Sequence, residues 1–313
     1  MPPKDKKMSQ YKEILKKQGD HLVGKNEHSA VKLCYWLKKS LRDEGECYKS
    51  KFYGIASHRC IQMTPYIGCN QNCIICWRPT GMKTSFDEMD SPEEIVEASI
   101  KEQRRILTGY KGSYRTNMSK YEDAVNPKHA AISLIGEPTL YPYLEDLIVE
   151  YGKRGLTTFV VSNGTKPEVI EEINPTQLYI SLESFDEEMY KKMCRPNGND
   201  MWEKVLESLK ILGEKRCRTV LRITLVRGLN FEPERFIPLI ELASPDYIEV
   251  KSYMHLGYSR RRLERDRMPT HREIKEFSRI LDDKTDYSIL DDAEISRVVL
   301  LSKDKGEDRM IDF

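Results

Sequence analysis

The chain has no apolar run near twenty residues and no apolar stretch behind its basic opening, Met1 to Lys7. The first absence argues against a transmembrane helix and the second against a secretory leader, so the expected setting is soluble, reducing and cytoplasmic, with no membrane partner. In such a setting eight Cys point away from disulfides. The opening, with Lys4, Lys6 and Lys7, reads as a flexible polar leader. Charge of one sign is lacking too: 51 basic against 50 acidic side chains leave +1, so global charge announces no nucleic-acid partner, which must be sought in local clusters. At 313 residues and 39% hydrophobic, the chain can bury one large core, or one core with a small appended domain, which is ample for an enzyme.

What is present is concentrated in Cys69-Asn70-Gln71-Asn72-Cys73-Ile74-Ile75-Cys76-Trp77, three thiols in eight residues behind the apolar run Cys60 to Gly68. A C-x-x-x-C-x-x-C loop can turn its sulfurs toward three irons of a cubane cluster and leave the fourth iron open for chemistry. A structural zinc site would need a fourth ligand at paired spacing, and no His or Cys occurs in the fifty residues after Cys76.

The remainder reads as α/β. A small N-terminal unit, Tyr11 to about Lys49, has a helical pattern, with Val31, Leu33, Cys34, Leu37 and Leu41 near helical spacing over Ala30 to Leu41. Cys60 to Met63 reads as the first strand. Ser91, Pro92 and Glu94 form a capping box for a helix reaching about Leu107. Strands over 130–135, 157–162, 178–183, 220–226 and 247–252 then alternate with helices over 143–154, 167–172, 201–215 and 233–242. Six βα repeats predict an incomplete (β/α)6 barrel over 60–255. Segment 1–59 precedes it, and a C-terminal extension, 256–313, holds a helix from Thr270 to Asp283 and an apolar stretch, Ile295 to Leu301, and caps the barrel.

The triad resembles the defining motif of the radical S-adenosylmethionine superfamily, with Ile75 where an aromatic residue often stands. That resemblance implies a [4Fe-4S] cluster on Cys69, Cys73 and Cys76, bound S-adenosylmethionine, and the partial barrel. Reactive groups in βα barrels gather at the carboxyl ends of strands. There, Gly136-Glu137-Pro138 is similar to the superfamily's Gly-Gly-Glu-Pro motif for the cofactor's amino group, with Ile135 replacing the first Gly. Ser162-Asn163-Gly164-Thr165 is similar to its polar turn beneath the ribose and methionine. Ser181 and Glu183 share one strand face, as do Arg222 and Thr224. An Arg directed into a barrel needs an anion, either the cofactor's carboxylate or Glu183 or Glu249.

Cys34, Cys47 and Cys60 lie thirteen apart, too wide for a local loop. With Tyr48-Lys49-Ser50-Lys51-Phe52-Tyr53-Gly54-Ile55, Gly136 to Pro142 and Glu249-Val250-Lys251, they resemble the tRNA-wybutosine-synthesising 4-demethylwyosine synthase family, over nearly the whole chain. The resemblance implies a second [4Fe-4S] cluster on the upstream Cys. It also implies a compact type without a flavodoxin-like domain, hence an external electron donor. The implied reaction joins pyruvate to N1-methylguanosine beside the anticodon of phenylalanine tRNA. A 5'-deoxyadenosyl radical takes hydrogen from the N1-methyl group, the carbon radical adds to C2 of pyruvate, and C1–C2 scission leaves two carbons for ring closure. Pyruvate would be held by a lysine Schiff base, at Lys49 first and Lys51 second, or by the open iron of the upstream cluster. In an extended chain both lysines would point to one side.

Candidate tRNA contacts are Arg260, Arg261, Arg262, Arg265 and Arg267, and a polar loop with Lys111, Tyr114, Arg115 and Lys120, offering cations for phosphates and an aromatic for a splayed base. Glu264 and Asp266 within the arginine run also suit a solvated face. Cys194 and Cys217 read as packing residues. Two rival readings are a radical methylthiotransferase, which expects a longer upstream domain, and a non-catalytic iron-sulfur or zinc RNA-binding protein.

Overall fold

The computed structural model describes residues 3–82, 84–304 and 309–313. They form two compact units, one of Met1–Cys69, Met82–Val160 and Met310–Phe313, the other of Asn70–Gly81 and Val161–Arg309. One cut falls inside the cysteine-rich loop.

In the first unit, β1 (His21–Val23), β2 (Ser29–Lys32) and β3 (Cys60–Thr64) pair antiparallel in sequence, and β3, β4 (His129–Ile132) and β5 (Thr157–Ser162) run parallel. The helical expectation for Ala30 to Leu41 fails in its first part. Ala30, Val31 and Lys32 lie opposite Thr64, Met63 and Gln62 of β3, and a fully buried β-branched Val31 suits a strand covered on both sides. Leu33, Leu37 and Leu41 do keep a four-residue period, and they pack with Leu107, Tyr121 and Ala124. Tyr121 and Ala124 come from a helix, Met118–Ala124, where a polar loop was expected. Asn117 caps it by accepting the Lys120 N–H at 3.2 Å. Of the opening, Met1 and Pro2 lie outside the described residues, and from Pro3 on it is not a loose leader. Pro3–Lys17 is helical, and its Tyr11 and Leu15 are buried with Ala30, Ile67, Leu134 and Ile135. The helix Pro92–Lys111 carries the expected capping box, closed in both directions by Ser91 and Glu94.

In the second unit, β6 (Gln177–Leu182), β7 (Arg218–Leu225) and β8 (Tyr247–Ser252) are parallel. The last apolar segment returns antiparallel along β8 as β10 (Val298–Ser302), with β9 (Ser288–Ala293) on its other side. Helices span Pro167–Glu172, Met201–Glu214, Pro233–Ala243 and His271–Lys284, near their expected bounds. A further helix, Glu187–Cys194, has no counterpart in the sequence reading. The two units together supply the six expected parallel strands, three each.

Candidate active site

In the second unit, the loop bearing Cys73 and Cys76 is strapped to its surroundings by backbone and side-chain hydrogen bonds. The Asn72 and Ile74 N–H groups donate to the Cys194 and Met193 carbonyls at 2.9 and 2.8 Å, and Asn197 N–H donates to the Asn70 carbonyl at 3.0 Å. Gln71 bridges Pro196 as an isolated antiparallel pair, and its amide donates to the Tyr190 hydroxyl at 2.7 Å. Asn72 donates to Asn197 Oδ1 at 2.7 Å. These anchors lie in or just beyond helix Glu187–Cys194. Asn70, Gln71 and Asn72 thus hold the loop in place, a role that thiol spacing alone does not reveal.

The Cys73 and Cys76 thiols are half-buried. Cys73 Sγ donates to Gln71 Oε1 at 3.1 Å. Its thiol is held well above the ordinary range, first by a hydrogen bond with Cys194 and then by burial. Cys194 is therefore a direct neighbour of a candidate ligand. Burial and the Cys73 charge push Cys76 to about 11, while Arg262 and Arg78 act in the other direction. Arg78 is 2% exposed and lies 3.7 Å from the Trp77 ring centroid. Thiols that resist ionisation on their own become ligands when a strongly positive metal group supplies the missing charge, which suits an iron-sulfur cluster. Cys69, the last residue of the preceding segment, is half-buried.

In the second unit, Ser162 Oγ accepts from Gly164 N–H at 3.0 Å. Asn163 donates to Asn70 Oδ1 at 2.9 Å and accepts the Thr165 N–H at 3.1 Å, and Asn70 donates to Thr165 Oγ1 at 2.7 Å. The turn and the first residue of the cysteine loop are therefore one polar network. Ser181, Arg222 and Glu249 lie abreast on three neighbouring strands. Arg222 is paired with the fully buried Glu249, at 2.9 and 3.0 Å, and stacks over Tyr179. Of the two glutamates considered for Arg222, Glu249 forms an ion pair with it and Glu183 feels its charge. Glu183 lies just past the end of β6, where burial raises its carboxyl to about 8 against hydrogen bonding from Thr224.

In the first unit, Gly136 has φ +73 and no room for a side chain, since a Cβ would fall 2.2 Å from the Tyr66 carbonyl oxygen. Glu137 N–H then donates to the Gly68 carbonyl at 2.8 Å, beside Cys69. The Glu137 side chain is 2% exposed and accepts from Thr139 N–H and Oγ1 at 3.1 and 2.7 Å, capping a short turn that begins at Pro138.

Cys34, Cys47 and Cys60 also belong to the first unit. Cys34 and Cys47 are N-caps of two short helices, Tyr35–Ser40 and Tyr48–Tyr53, and Cys34 Sγ accepts the Leu37 N–H at 3.2 Å. Burial and the Cys47 charge push Cys34 to about 11, and Cys60 is pushed higher by burial and then by Cys34, with the Lys49 ammonium opposing. The three thiols and Lys49 therefore lie within electrostatic reach of one another. Among the described residues, no three His, Cys, Asp or Glu side chains close on a single metal ion.

The helix Tyr48–Tyr53 overturns the expectation that Lys49 and Lys51 share a side. Two residues apart on a helix lie on nearly opposite faces. Lys49 is 9% exposed, its Nζ 4.8 Å from the Phe159 ring centroid, whereas Lys51 is exposed.

Among the candidate RNA contacts, Lys120 is paired with Asp43 and Glu46 at 3.0 and 2.9 Å, and Arg115 donates to the exposed Tyr114 hydroxyl. Arg260 and Arg261 are exposed, the latter over the Tyr258 ring. Arg262 is half-buried and donates to the Ile74 carbonyl and Thr80 Oγ1, both at 3.1 Å, and to the Cys76 carbonyl.

Parallel βα strands with a strapped three-cysteine loop define a radical S-adenosylmethionine protein, and residues 63–240 match the radical SAM superfamily. Residues 242–303 match the wyosine base formation family. The S-adenosyl-L-methionine-dependent tRNA 4-demethylwyosine synthase of Pyrococcus abyssi is 49% identical over 302 residues, 93% of this chain and 88% of that one. The Methanocaldococcus jannaschii enzyme of that name is 47% identical over 300 residues, 93% and 95% of the two chains. A solved structure of TYW1 with a lysine-pyruvate adduct bound is 45% identical, with a TM-score of 0.87 over 96% of this chain and 97% of that one. The chain belongs to the tRNA 4-demethylwyosine synthase family of radical SAM enzymes.

Proposed function

We propose that this chain condenses pyruvate with N1-methylguanosine of phenylalanine tRNA to form 4-demethylwyosine. The observation that carries the reading is Lys49, a buried amine set among Cys34, Cys47 and Cys60. The related structure's lysine-pyruvate adduct supports a Schiff base here, and burial favours Lys49 over the exposed Lys51. An imine at Lys49 fixes C2 of pyruvate, and the surrounding Phe159 and Cys60 limit water at the adduct.

A [4Fe-4S] cluster held by Cys69, Cys73 and Cys76, with S-adenosylmethionine, supplies the radical that takes hydrogen from the methyl group. Gly136, Glu137 and Pro138, the Ser162-Asn163 turn, and Ser181, Glu183 and Arg222 are the residues assigned to that cofactor. Glu249 neutralises Arg222, so Arg222 serves there by ordering the strand ends beside Ser181.

The reading extends to a second [4Fe-4S] cluster on Cys34, Cys47 and Cys60. Its support is the mutual electrostatic influence of three thiols, Cys60 buried and Cys34 and Cys47 half-buried, which suits ligands to separate irons of one cubane. An external reductant supplies the electron, and Arg260 and Arg261 offer exposed guanidiniums to tRNA phosphate. The setting assigned is the cytoplasm. No described helix is long and apolar enough to cross a membrane.

The test is an anaerobic incubation with methylguanosine-containing tRNA, pyruvate, S-adenosylmethionine and dithionite. A tricyclic base dependent on pyruvate is expected. Its absence, with S-adenosylmethionine still cleaved, would reject the substrate assignment.

A further inference from the structure

Arg262 lies ten residues beyond β8, inside the region matching the wyosine base formation family, yet its guanidinium is directed at the superfamily's cysteine loop. Its Nε donates to the Ile74 carbonyl at 3.1 Å, Nη1 to Thr80 Oγ1 at 3.1 Å, and Nη2 to the Cys76 carbonyl. One planar group therefore ties the start of the Ile74-to-Thr80 turn, the ligand residue within it, and its return. Three acceptors in different directions suit the fixed fork of Arg and not the single ammonium of Lys.

The segment delivering Arg262 is itself fastened to the same loop. Tyr258 N–H donates to the Trp77 carbonyl at 2.9 Å. Gly257 has φ +53, and a Cβ there would fall 2.3 Å from the Trp77 carbonyl oxygen, so only glycine lets the two backbones approach this closely. Ser259 then holds the turn, accepting from the Tyr253 hydroxyl at 2.9 Å and donating to the Leu256 carbonyl at 2.6 Å, while its own carbonyl accepts the Arg262 and Leu263 N–H groups at 2.9 and 3.0 Å. The carbonyls of Ile74, Cys76 and Trp77 would otherwise need water or other donors in a half-buried loop. The guanidinium bonded to the Cys76 carbonyl also places a permanent positive charge at the loop, which would favour the more negative, reduced state of a cluster held there.

We propose that Arg262 is a positioning residue of the radical-generating loop: it orders Ile74 to Thr80 and raises the reduction potential of the cluster held there, through a segment particular to wyosine synthesis. This rests on the chain's membership of the radical SAM superfamily.

Hydrogen exchange on the cluster-free, full-length protein reads the loop independently of cluster loading. Arg262→Met is expected to speed exchange of residues 72–80 by roughly tenfold, the factor of one lost net hydrogen bond, and to leave β8 and β10 unchanged. In reconstituted protein, a redox titration followed by electron paramagnetic resonance should place the cluster potential lower in Arg262→Met and near wild type in Arg262→Lys, which keeps the charge. Should Arg262→Met fail to fold, Arg262→Lys decides the matter, because faster loop exchange is expected when one ammonium replaces three directed bonds. Wild-type exchange in Arg262→Lys would then overturn the proposal. So would wild-type exchange and potential in a folded Arg262→Met, including the case in which only tRNA affinity falls.

Discussion

The two groups of cysteines are built in opposite ways. Cys73 and Cys76 sit close in sequence on a loop held from both sides, by residues 190–197 and by residues 257–262, mostly through hydrogen bonds to backbone groups. Cys34, Cys47 and Cys60 are far apart in sequence and are brought together by packing, two as caps of short helices and one at the start of β3. A motif of close spacing announces its own geometry and needs only fastening. A dispersed set needs a core to exist at all, and so draws on the stability of the first unit.

The largest expected effect breaks the first group. Cys76→Ala should abolish S-adenosylmethionine cleavage and base formation, and iron should fall from about eight to about four per chain if both sites carry cubanes. Iron and sulfide analysis on anaerobic protein checks this. Cys60→Ala should remove a similar share of iron while leaving uncoupled S-adenosylmethionine cleavage measurable, which separates the two groups. If Cys60→Ala instead kept all the iron, the upstream cysteines would not hold a cluster.

A smaller effect sharpens the packing side. Leu37 is fully buried in the cluster with Leu33, Leu41, Leu107 and Tyr121, three residues after Cys34. Leu37→Ala should cost about 2–5 kcal/mol in denaturant unfolding. It should also lower iron at the upstream site more than at the loop.

The smallest concerns acid stability of the second unit. Arg227 holds Glu273 down to about 2, from an ordinary 4.5. The folded state therefore binds fewer protons than the unfolded one between those values, so this contribution is full above pH 4.5 and is lost as pH falls toward 2. Arg227 is 41% exposed in its side chain, which keeps the effect small. Glu273→Gln should flatten the acid limb of the unfolding midpoint against pH, and an unchanged limb would remove this pair from the account.

The parallel strands were legible because stretches such as Thr157–Ser162 and Tyr247–Ser252 are short apolar runs buried on both faces and bounded by turns. The helix Pro92–Lys111 was legible from its cap. The strand Ser29–Lys32, between β1 and β3, was not, because Val31, Leu33, Leu37 and Leu41 mix two periods, and pairing with β3 overrides the first. Arg262 was visible as a cation, but its target lies 186 residues away along the chain, at the Cys76 carbonyl. An extended segment would put Lys49 and Lys51 on one side, so in the sequence only the family resemblance ranks Lys49 first. The turn of helix over Tyr48–Tyr53, ended by Gly54 at φ +76, separates them.

That separation is also the most direct test. Protein incubated anaerobically with labelled pyruvate and borohydride, then digested and mapped by mass, should carry the reduced adduct on Lys49, and Lys49→Ala should carry none while Lys51→Ala labels as wild type. Label on Lys51, or undiminished label in Lys49→Ala, would contradict the assignment of the buried lysine as the group that holds pyruvate.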